Sequence, residues 1–577
     1  MANFKELAAE MIKTQVEVLS FEEIMGIIEK PKHVSMGEYA FPCFKLAKAF
    51  KKSPNMIAGE IATKVSDQLA EVDKSSFEKV EAVGAYVNFK VDKGVFVEVV
   101  LSEVLDQGTE YGKGIPEKVQ KVLVDFSSTN ISKPFHIGHF RSTMIGDSLC
   151  KIYRFLGHDV VGINHLGDYG TQFGTLIVAY KRWGSKEIVE KAPIDEMLKL
   201  YVQFHKEEEA MPSLRDEARY EFKKLEDGDA ENIALWEWFT EESLKDFNRI
   251  YDLLGCTFDE YIGERFYMDK TDTVVDELIE KNLLVESEGA QIVDLDAFGM
   301  APGLIKKSDG TTLYMTRDLA AAFYRKKTYD FDKVLYVVAT QQNLHFKQWF
   351  KIVELMGYDW AKDLIHVPFG MVSLENGAMS TRKGNLLRLE DVMTKAMEMA
   401  KSLIQEKNPS LENKEEVARQ VGIGAIIFQE LSHNKIKDYV FAWDKMLSFD
   451  GESGPYVQYT HARACSVLRK AGVMKDMDMS PENVDYSLLV DDASLDIARL
   501  INDFNSIVQD AADKNEPSLI ARYVLDVAKA FNKFYHDNKI IVEDESLKKA
   551  RLAVVKGITI VLKNGLALIS MEAPERM

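Results

Sequence analysis

The chain has 577 residues, four cysteines, and 72 basic against 92 acidic side chains, a formal charge of −20. That balance argues against a simple basic nucleic-acid binder, so any nucleic-acid contact has to rest on a local basic face. No apolar run reaches the ~18 residues that a membrane span needs, and the opening MANFKELAAEMIK lacks the apolar core of a signal peptide; a cytoplasmic chain with no membrane partner is expected. Cys43, Cys150, Cys256 and Cys465 are scattered and never form CxxC, which argues against structural zinc and disulfides and suits a reducing compartment. At roughly 150 residues per domain, the length accommodates about three or four domains.

Residues 1–118 mix helical segments with a strand over 85–91, AYVNFKV, whose residues alternate at period two. Residues 44–54, FKLAKAFKKSP, read as a basic helix end stopped by Pro54. On composition alone this is a solvated helix face carrying Lys48, Lys51 and Lys52.

Residues 122–147, VLVDFSSTNISKPFHIGHFRSTMIGD, read as strand, loop and helix start. Val122, Leu123, Val124 and Phe126 are β-prone, and residues 127–134 are turn chemistry. Ile137, Met144, Ile145, Leu149 and Ile152 then recur at helical spacing, so a helix is predicted to begin near His136. His136 and His139 fall on one face of its first turn. Free backbone N–H groups and the positive dipole end there suit an anion such as a polyphosphate, and Gly138 lets a ligand approach the backbone.

The alternation of strands and helices continues, with a strand over 159–164 leading into the glycine-rich HLGDYGTQFG of residues 165–174. Residues 188–255 read as a helical insertion. A strand over 334–339 precedes the polar run TQQNLH, residues 340–345, and a strand over 366–374 precedes MSTRKGN, residues 379–385. This pattern predicts a parallel α/β sheet with sites at the carboxyl ends of its strands. Beyond about residue 396 the chain is predicted to be helical with no further strands of note, including helices over 420–431 and 456–469.

The tetrapeptide HIGH, residues 136–139, resembles the motif of that name in class I aminoacyl-tRNA synthetases. Asn130, Lys133, Pro134, Arg141, Ser142, Gly146 and Asp147 around it narrow the resemblance to the arginyl-tRNA synthetases. It covers essentially the whole chain and is strongest at residues 122–178, 314–345 and 450–470. It implies a Rossmann-like catalytic domain over 119–395 with the insertion inside it, preceded by an α+β domain over 1–118 that contacts the tRNA elbow. An all-α anticodon-binding domain is implied over 396–577. Lys48, Lys51 and Lys52 become tRNA-binding candidates on this likeness; Tyr456, Tyr459 and Arg463 serve either packing or stacking on an unpaired base.

An arginine-selective pocket needs carboxylates in a fixed fork and an aromatic wall, because guanidinium is planar, always charged and carries five donors. The resemblance places Asp318 on the guanidinium, Tyr314 beside the side chain, Glu264 as a second acid, Asn130 on the α-amino group and Gln342 in the lining. Arg265 follows Glu264 where the family commonly has serine. ATP is implied to meet His136, Gly138, His139, Met379, Ser380 and Lys383. Met379 and Ser380 align with the second class I signature, KMSKS, but Thr381 stands where its second lysine belongs. Lys133, Arg382 and Lys383 are all open as the cation that meets the phosphates. The implied chemistry is arginyl-adenylate formation from arginine and ATP with Mg2+, then transfer to tRNA(Arg), with activation depending on bound tRNA. Magnesium is expected to be held by phosphate and water, with no dedicated protein metal ligands, and a monomer is expected. The competing readings are another class I synthetase, a non-catalytic tRNA-binding relative, and a nucleotidyltransferase using the same HxGH chemistry.

Overall fold

The computed structural model describes residues 4–31, 33, 36–70, 76–308, 313–374, 388–448, 451–473 and 479–577. Two compact units divide it: Met1–Tyr111 with Arg463–Phe504 and Asp526–Leu562, and Gly112–Ala462 with Asn505–Leu525 and Lys563–Met577.

The first unit holds an antiparallel sheet of β1 (Tyr39–Pro42), β2 (Phe77–Val83) and β3 (Tyr86–Val91), ordered β1-β3-β2. The period-two run of residues 85–91 is its central strand, packed through Phe89 on Phe77. Pro54 does not stop a helix. The preceding helical turn ends at Phe50, Lys51 adopts a left-handed backbone (φ 51°), and Pro54 opens the helix Pro54–Ala70. Proline at a first helical position sacrifices only an N–H that has no intrahelical partner there. Lys48, Lys51 and Lys52 are exposed, as expected, and Lys52 pairs with Glu60 at 2.6 Å.

The second unit is built on β4 (Lys121–Asp125), β5 (Asp159–Asn164) and β6 (Glu260–Tyr261). Next come β7 (Leu284–Ser287), β8 (Ala290–Val293) and β9 (Gly303–Lys306), which form a separate antiparallel sheet. The chain then supplies β10 (Lys333–Ala339), β11 (Leu364–Phe369), β12 (Val372–Leu374) and β13 (Tyr439–Phe441). Five strands make a parallel sheet in the order β11-β10-β4-β5-β6. Leu123, Ile163 and Val334 from its strands share one buried core with Leu319, Trp349 and Ile352. Between β5 and β6 run the helices Lys186–Lys191, Pro193–Ala210, Ser213–Glu226 and Ala230–Leu254, where the helical insertion is expected.

Two expectations need correction. The strand over 366–374 is broken at Gly370 and Met371: a Cβ on Gly370 would lie 2.6 Å from both Asp438 Oδ1 and the Ile436 carbonyl. The Gly370 N–H donates to the Lys435 carbonyl (2.8 Å) and the Met371 N–H to Asp438 Oδ1 (2.6 Å), so these donors leave the β11 ladder. Beyond residue 396 the chain is also not free of strands, because β13 pairs in parallel with β12.

Candidate active site

The helix Ile137–Phe155 starts where the change of period predicts, with His136 as its extended N-cap. The Gly138 N–H donates to His136 Nδ1 (3.1 Å), so the neutral ring carries its proton on Nε2, pointing away from the helix backbone. A Cβ on Gly138 would lie 2.9 Å from His136 Cε1, so glycine first makes room for the imidazole itself. The two rings stack with centroids 3.8 Å apart. Burial, then the Lys133 charge, pushes His136 down to about 4. Burial, His136 and Lys133 hold His139 well below the ordinary imidazole range. Two neutral rings beside a lysine therefore stand at a helix N-terminus.

The loop beneath them is tightly built. Ser127, Ser128 and Ser132 all have positive φ (68°, 49° and 63°). Ser127 Oγ lies 2.8 Å from both Thr143 Oγ1 and Tyr251 OH, and Asn164 Nδ2 donates to Tyr251 OH (3.0 Å). Tyr251 comes from the insertion helix Ala230–Leu254, which thus braces the ends of β4 and β5. Gly146 lets the histidine helix touch this loop: a Cβ there would lie 2.2 Å from Phe126 Cβ. Met379, Ser380, Arg382 and Lys383 lie outside the described residues. Arg388 and Leu389, which follow that segment, lie beside the histidine loop: His136 forms an antiparallel bridge with Arg388, and the Leu389 N–H donates to the Phe135 carbonyl (3.0 Å).

The acids predicted for an arginine pocket come together. Glu264 opens the 3₁₀ segment Glu264–Lys270; its N–H donates to the Leu166 carbonyl (3.1 Å), and the Arg265 N–H donates to Asp168 Oδ1 (3.0 Å). Glu264 Oε2 lies 3.4 Å from the Arg317 guanidinium. Burial pushes the Glu264 carboxyl up to about 7; Arg317 pulls it down, while Asp318 and Asp168 push it up. Asp318 is paired with His345. Tyr314, 61% exposed at the start of the helix Tyr314–Tyr329, faces Arg317. Asn130 forms a parallel bridge with Gly167 at the strand ends, and Gln342 is exposed just after β10.

His345, Arg317 and Asp168 were not singled out as site residues in the sequence. His345 does end the polar run after β10, and Asp168 falls in the glycine-rich loop after β5, so position after a buried strand was the available signal. Trp236 of the insertion also reaches this side: its Nε1 donates to the Asp168 carbonyl (2.7 Å), and its ring packs 4.0 Å from the Arg265 guanidinium.

A parallel sheet with a neutral histidine pair at the helix following its central strand defines a class I aminoacyl-tRNA synthetase catalytic domain. In agreement, a model described as "tRNA synthetases class I (R), catalytic domain" matches residues 100–443. "Arginyl tRNA synthetase N terminal domain" matches residues 3–91, and "DALR anticodon binding domain" matches residues 457–577. The arginine–tRNA ligase of Clostridioides difficile is 56% identical over 577 residues, and that of Halothermothrix orenii 54% identical over 578, each covering 100% of both chains. The Thermus thermophilus arginyl-tRNA synthetase structure superposes with a TM-score of 0.80 at 25% identity, covering 100% of this chain and 99% of that one. The Plasmodium falciparum arginyl-tRNA synthetase matches equally, covering 98% of its chain. The chain belongs to the arginyl-tRNA synthetase family, which removes other class I synthetases and nucleotidyltransferases as readings.

Proposed function

We propose that the chain is an arginine–tRNA ligase, which activates arginine with ATP and transfers it to the 3′ adenosine of tRNA(Arg). The observation that carries this reading is the neutral His136–His139 pair at a helix N-terminus, in the same α/β unit as the half-buried acids Glu264 and Asp318. Asp318 and Glu264 receive the guanidinium, Tyr314 forms the wall, Asn130 holds the α-amino group and Gln342 completes the lining. The arginine carboxylate attacks the α-phosphorus of ATP and pyrophosphate leaves. His136 and His139 donate from Nε2 to the crowded α-phosphate, where preorganised neutral donors need no reorganisation as charge develops. Gly138, Met379 and Ser380 contact the nucleotide, and Lys133, Arg382 or Lys383 holds the departing pyrophosphate. Magnesium enters with ATP, held by phosphate oxygens and water; among the described residues no three His, Cys, Asp or Glu side chains are grouped to hold an ion.

Residues 1–118 then serve the tRNA elbow through Lys48, Lys51 and Lys52, and residues 396–577 serve the anticodon, with Tyr456, Tyr459 and Arg463 as the candidates for base contact, although Arg463 also donates to Asn532 Oδ1 (2.8 Å). We place the enzyme in the cytoplasm as a monomer; no helix among the described residues is long and apolar enough to cross a membrane. Exchange of pyrophosphate into ATP, run over a panel of amino acids with and without tRNA, tests the reading. Exchange with arginine alone supports it, and dependence on tRNA supports coupled activation. Absence of exchange with every amino acid, from protein that still binds tRNA, would favour a non-catalytic relative.

A further inference from the structure

Arg317 sits one residue before Asp318, yet it does not face solvent: its side chain is 11% exposed, and that of Glu264 is 17% exposed. The guanidinium lies 4.6 Å from the centroid of Tyr314 and 5.7 Å from that of Tyr169, with Glu264 Oε2 3.4 Å from one of its nitrogens. The chain therefore surrounds one of its own arginines with two aromatic rings and a carboxylate. Helical spacing fixes the Tyr314 contact, since the two residues are three apart in the helix Tyr314–Tyr329. Backbone hydrogen bonds to Leu166 and Asp168 fix Glu264 on the other side. Glu264 Oε2 and Arg317 Nε are both buried without a hydrogen-bond partner among the described residues. The pair is close enough for charge attraction but has not closed into a fork, so the carboxylate keeps acceptor capacity for another donor.

We propose that Arg317 is a positioning residue for substrate selection: clamped by Tyr314 and Tyr169, it holds the Glu264 carboxylate in place as an acceptor for incoming arginine. The inference rests on the reading of Glu264 as an arginine-binding acid. The electrostatics give Arg317 this task. The groups facing Glu264 are Arg317 and Asp318 from one helix and Asp168 from the loop after β5, and only Arg317 favours the charged form. Arg265 is the cation beside Asp168 and packs on Trp236, while His345 is taken by Asp318. Without Arg317, burial and two neighbouring acids leave Glu264 protonated at neutral pH, with an acceptor replaced by a competing donor.

The test is the KM for arginine and for ATP in pyrophosphate exchange with tRNA present, measured from pH 6.5 to 8.5 for wild type, Arg317→Gln, Arg317→Lys and Glu264→Gln. Arg317→Gln is expected to weaken arginine by at least ~10-fold at pH 7 and to recover by up to about tenfold per pH unit as alkali restores the carboxylate. Its ATP KM is expected to stay within about twofold, because the proposed function places the nucleotide at His136 and His139 and not at this pair. Arg317→Lys keeps the charge and retains most of the arginine affinity; Glu264→Gln weakens arginine at every pH with no alkaline recovery. An arginine KM unchanged in Arg317→Gln, or weakened equally at pH 6.5 and 8.5 while Glu264→Gln still weakens arginine, overturns the inference and leaves the pocket reading intact. A wild-type arginine KM in Glu264→Gln overturns the pocket reading of Glu264 and the inference with it. Should Arg317→Gln fail to fold, Arg317→Lys decides against Glu264→Gln: an arginine KM near wild type from pH 6.5 to 8.5 supports the holding role, and one weakened as much as in Glu264→Gln at every pH overturns the inference.

Discussion

His345 Nε2 lies 2.5 Å from Asp318 Oδ2, joining the first turn of the helix Asn343–Leu355 to the second turn of Tyr314–Tyr329. One carboxylate oxygen is thereby fixed, and in the proposed reading the carboxylate receives the arginine guanidinium. The ring itself is steadied edge-on by Phe346 (5.8 Å between centroids). His345→Ala is expected to raise the arginine KM by about tenfold, the order of one charge-assisted hydrogen bond, with ATP unaffected. Asp318→Ala removes the acceptor itself and is expected to cost more than ~100-fold in kcat/KM for arginine. Equal losses for arginine and ATP in either variant would count against this pairing as a recognition device.

The histidine pair predicts an unusual pH profile. Because His136 is pushed down to about 4 by burial and Lys133, and His139 is also depressed, both rings are neutral donors from pH 6 to 8. The kcat of exchange should therefore show no step near 6.5, the pH of an ordinary imidazole, and an acid limb from these rings should begin only below about pH 5. Replacing either ring by alanine should lower kcat by roughly 10²- to 10³-fold, as removal of one preorganised donor does in comparable sites. A step near pH 6.5 that disappears in His136→Ala would show that the rings work as cations instead.

Glu264 gives a prediction of opposite sign for stability. Its folded carboxyl titrates near 7, above the unfolded range, so folding favours the protonated form and stability is lost as pH rises from the unfolded value through about 7. That shift already includes the attraction of Arg317. Glutamine, the neutral isostere, should therefore stabilise the protein at pH 8 by on the order of 3 kcal/mol and hardly at all at pH 4, while weakening arginine. Denaturation at the two pH values checks this; equal stability of Glu264→Gln and wild type at pH 8 would contradict it.

These predictions also mark where sequence pattern stops being informative. The strand, loop and helix around His136 were legible because the apolar period changes from alternation to helical spacing at one place, and a strong local pattern leaves few alternatives. The break at Gly370 was not legible, since its cause is Asp438 and the Ile436 carbonyl, more than sixty residues away. β13 is three residues long, too short to carry a period. In the pocket, Glu264 and Asp318 could be named as acids, but their partners Arg317 and His345 could not: which cation faces which carboxylate depends on how two helices and a loop meet. Pro54 is locally ambiguous, because a proline after a helical run fits the end of one helix as well as the start of the next; here it starts one.

Arg141, on the histidine helix, is among the most deeply buried charges described in the second unit. It and Glu430 are each 1% exposed and 3.1 Å apart, and Tyr439 OH donates to the other Glu430 oxygen (2.7 Å). The guanidinium also donates to the carbonyls of Gly370, Met371, Lys435 and Lys437, at 3.0, 3.4, 3.0 and 2.9 Å. Those carbonyls flank the break between β11 and β12 and the turn before β13, so one side chain ties the histidine helix to both edges of the β12–β13 pair. Arg141→Met should destabilise the protein by about 3–5 kcal/mol, the usual result of leaving one buried charge uncompensated. Many buried ion pairs can be exchanged for apolar residues at little net cost. Here the double variant Arg141→Met with Glu430→Leu should remain at least ~2 kcal/mol below wild type, because buried carbonyls lose their donor and each unsatisfied acceptor costs about 1 kcal/mol or more. Urea denaturation of the wild type, both single variants and the double variant gives the comparison. A double variant as stable as wild type would mean that the carbonyls find other donors, and that Arg141 neutralises Glu430 without fastening the strands.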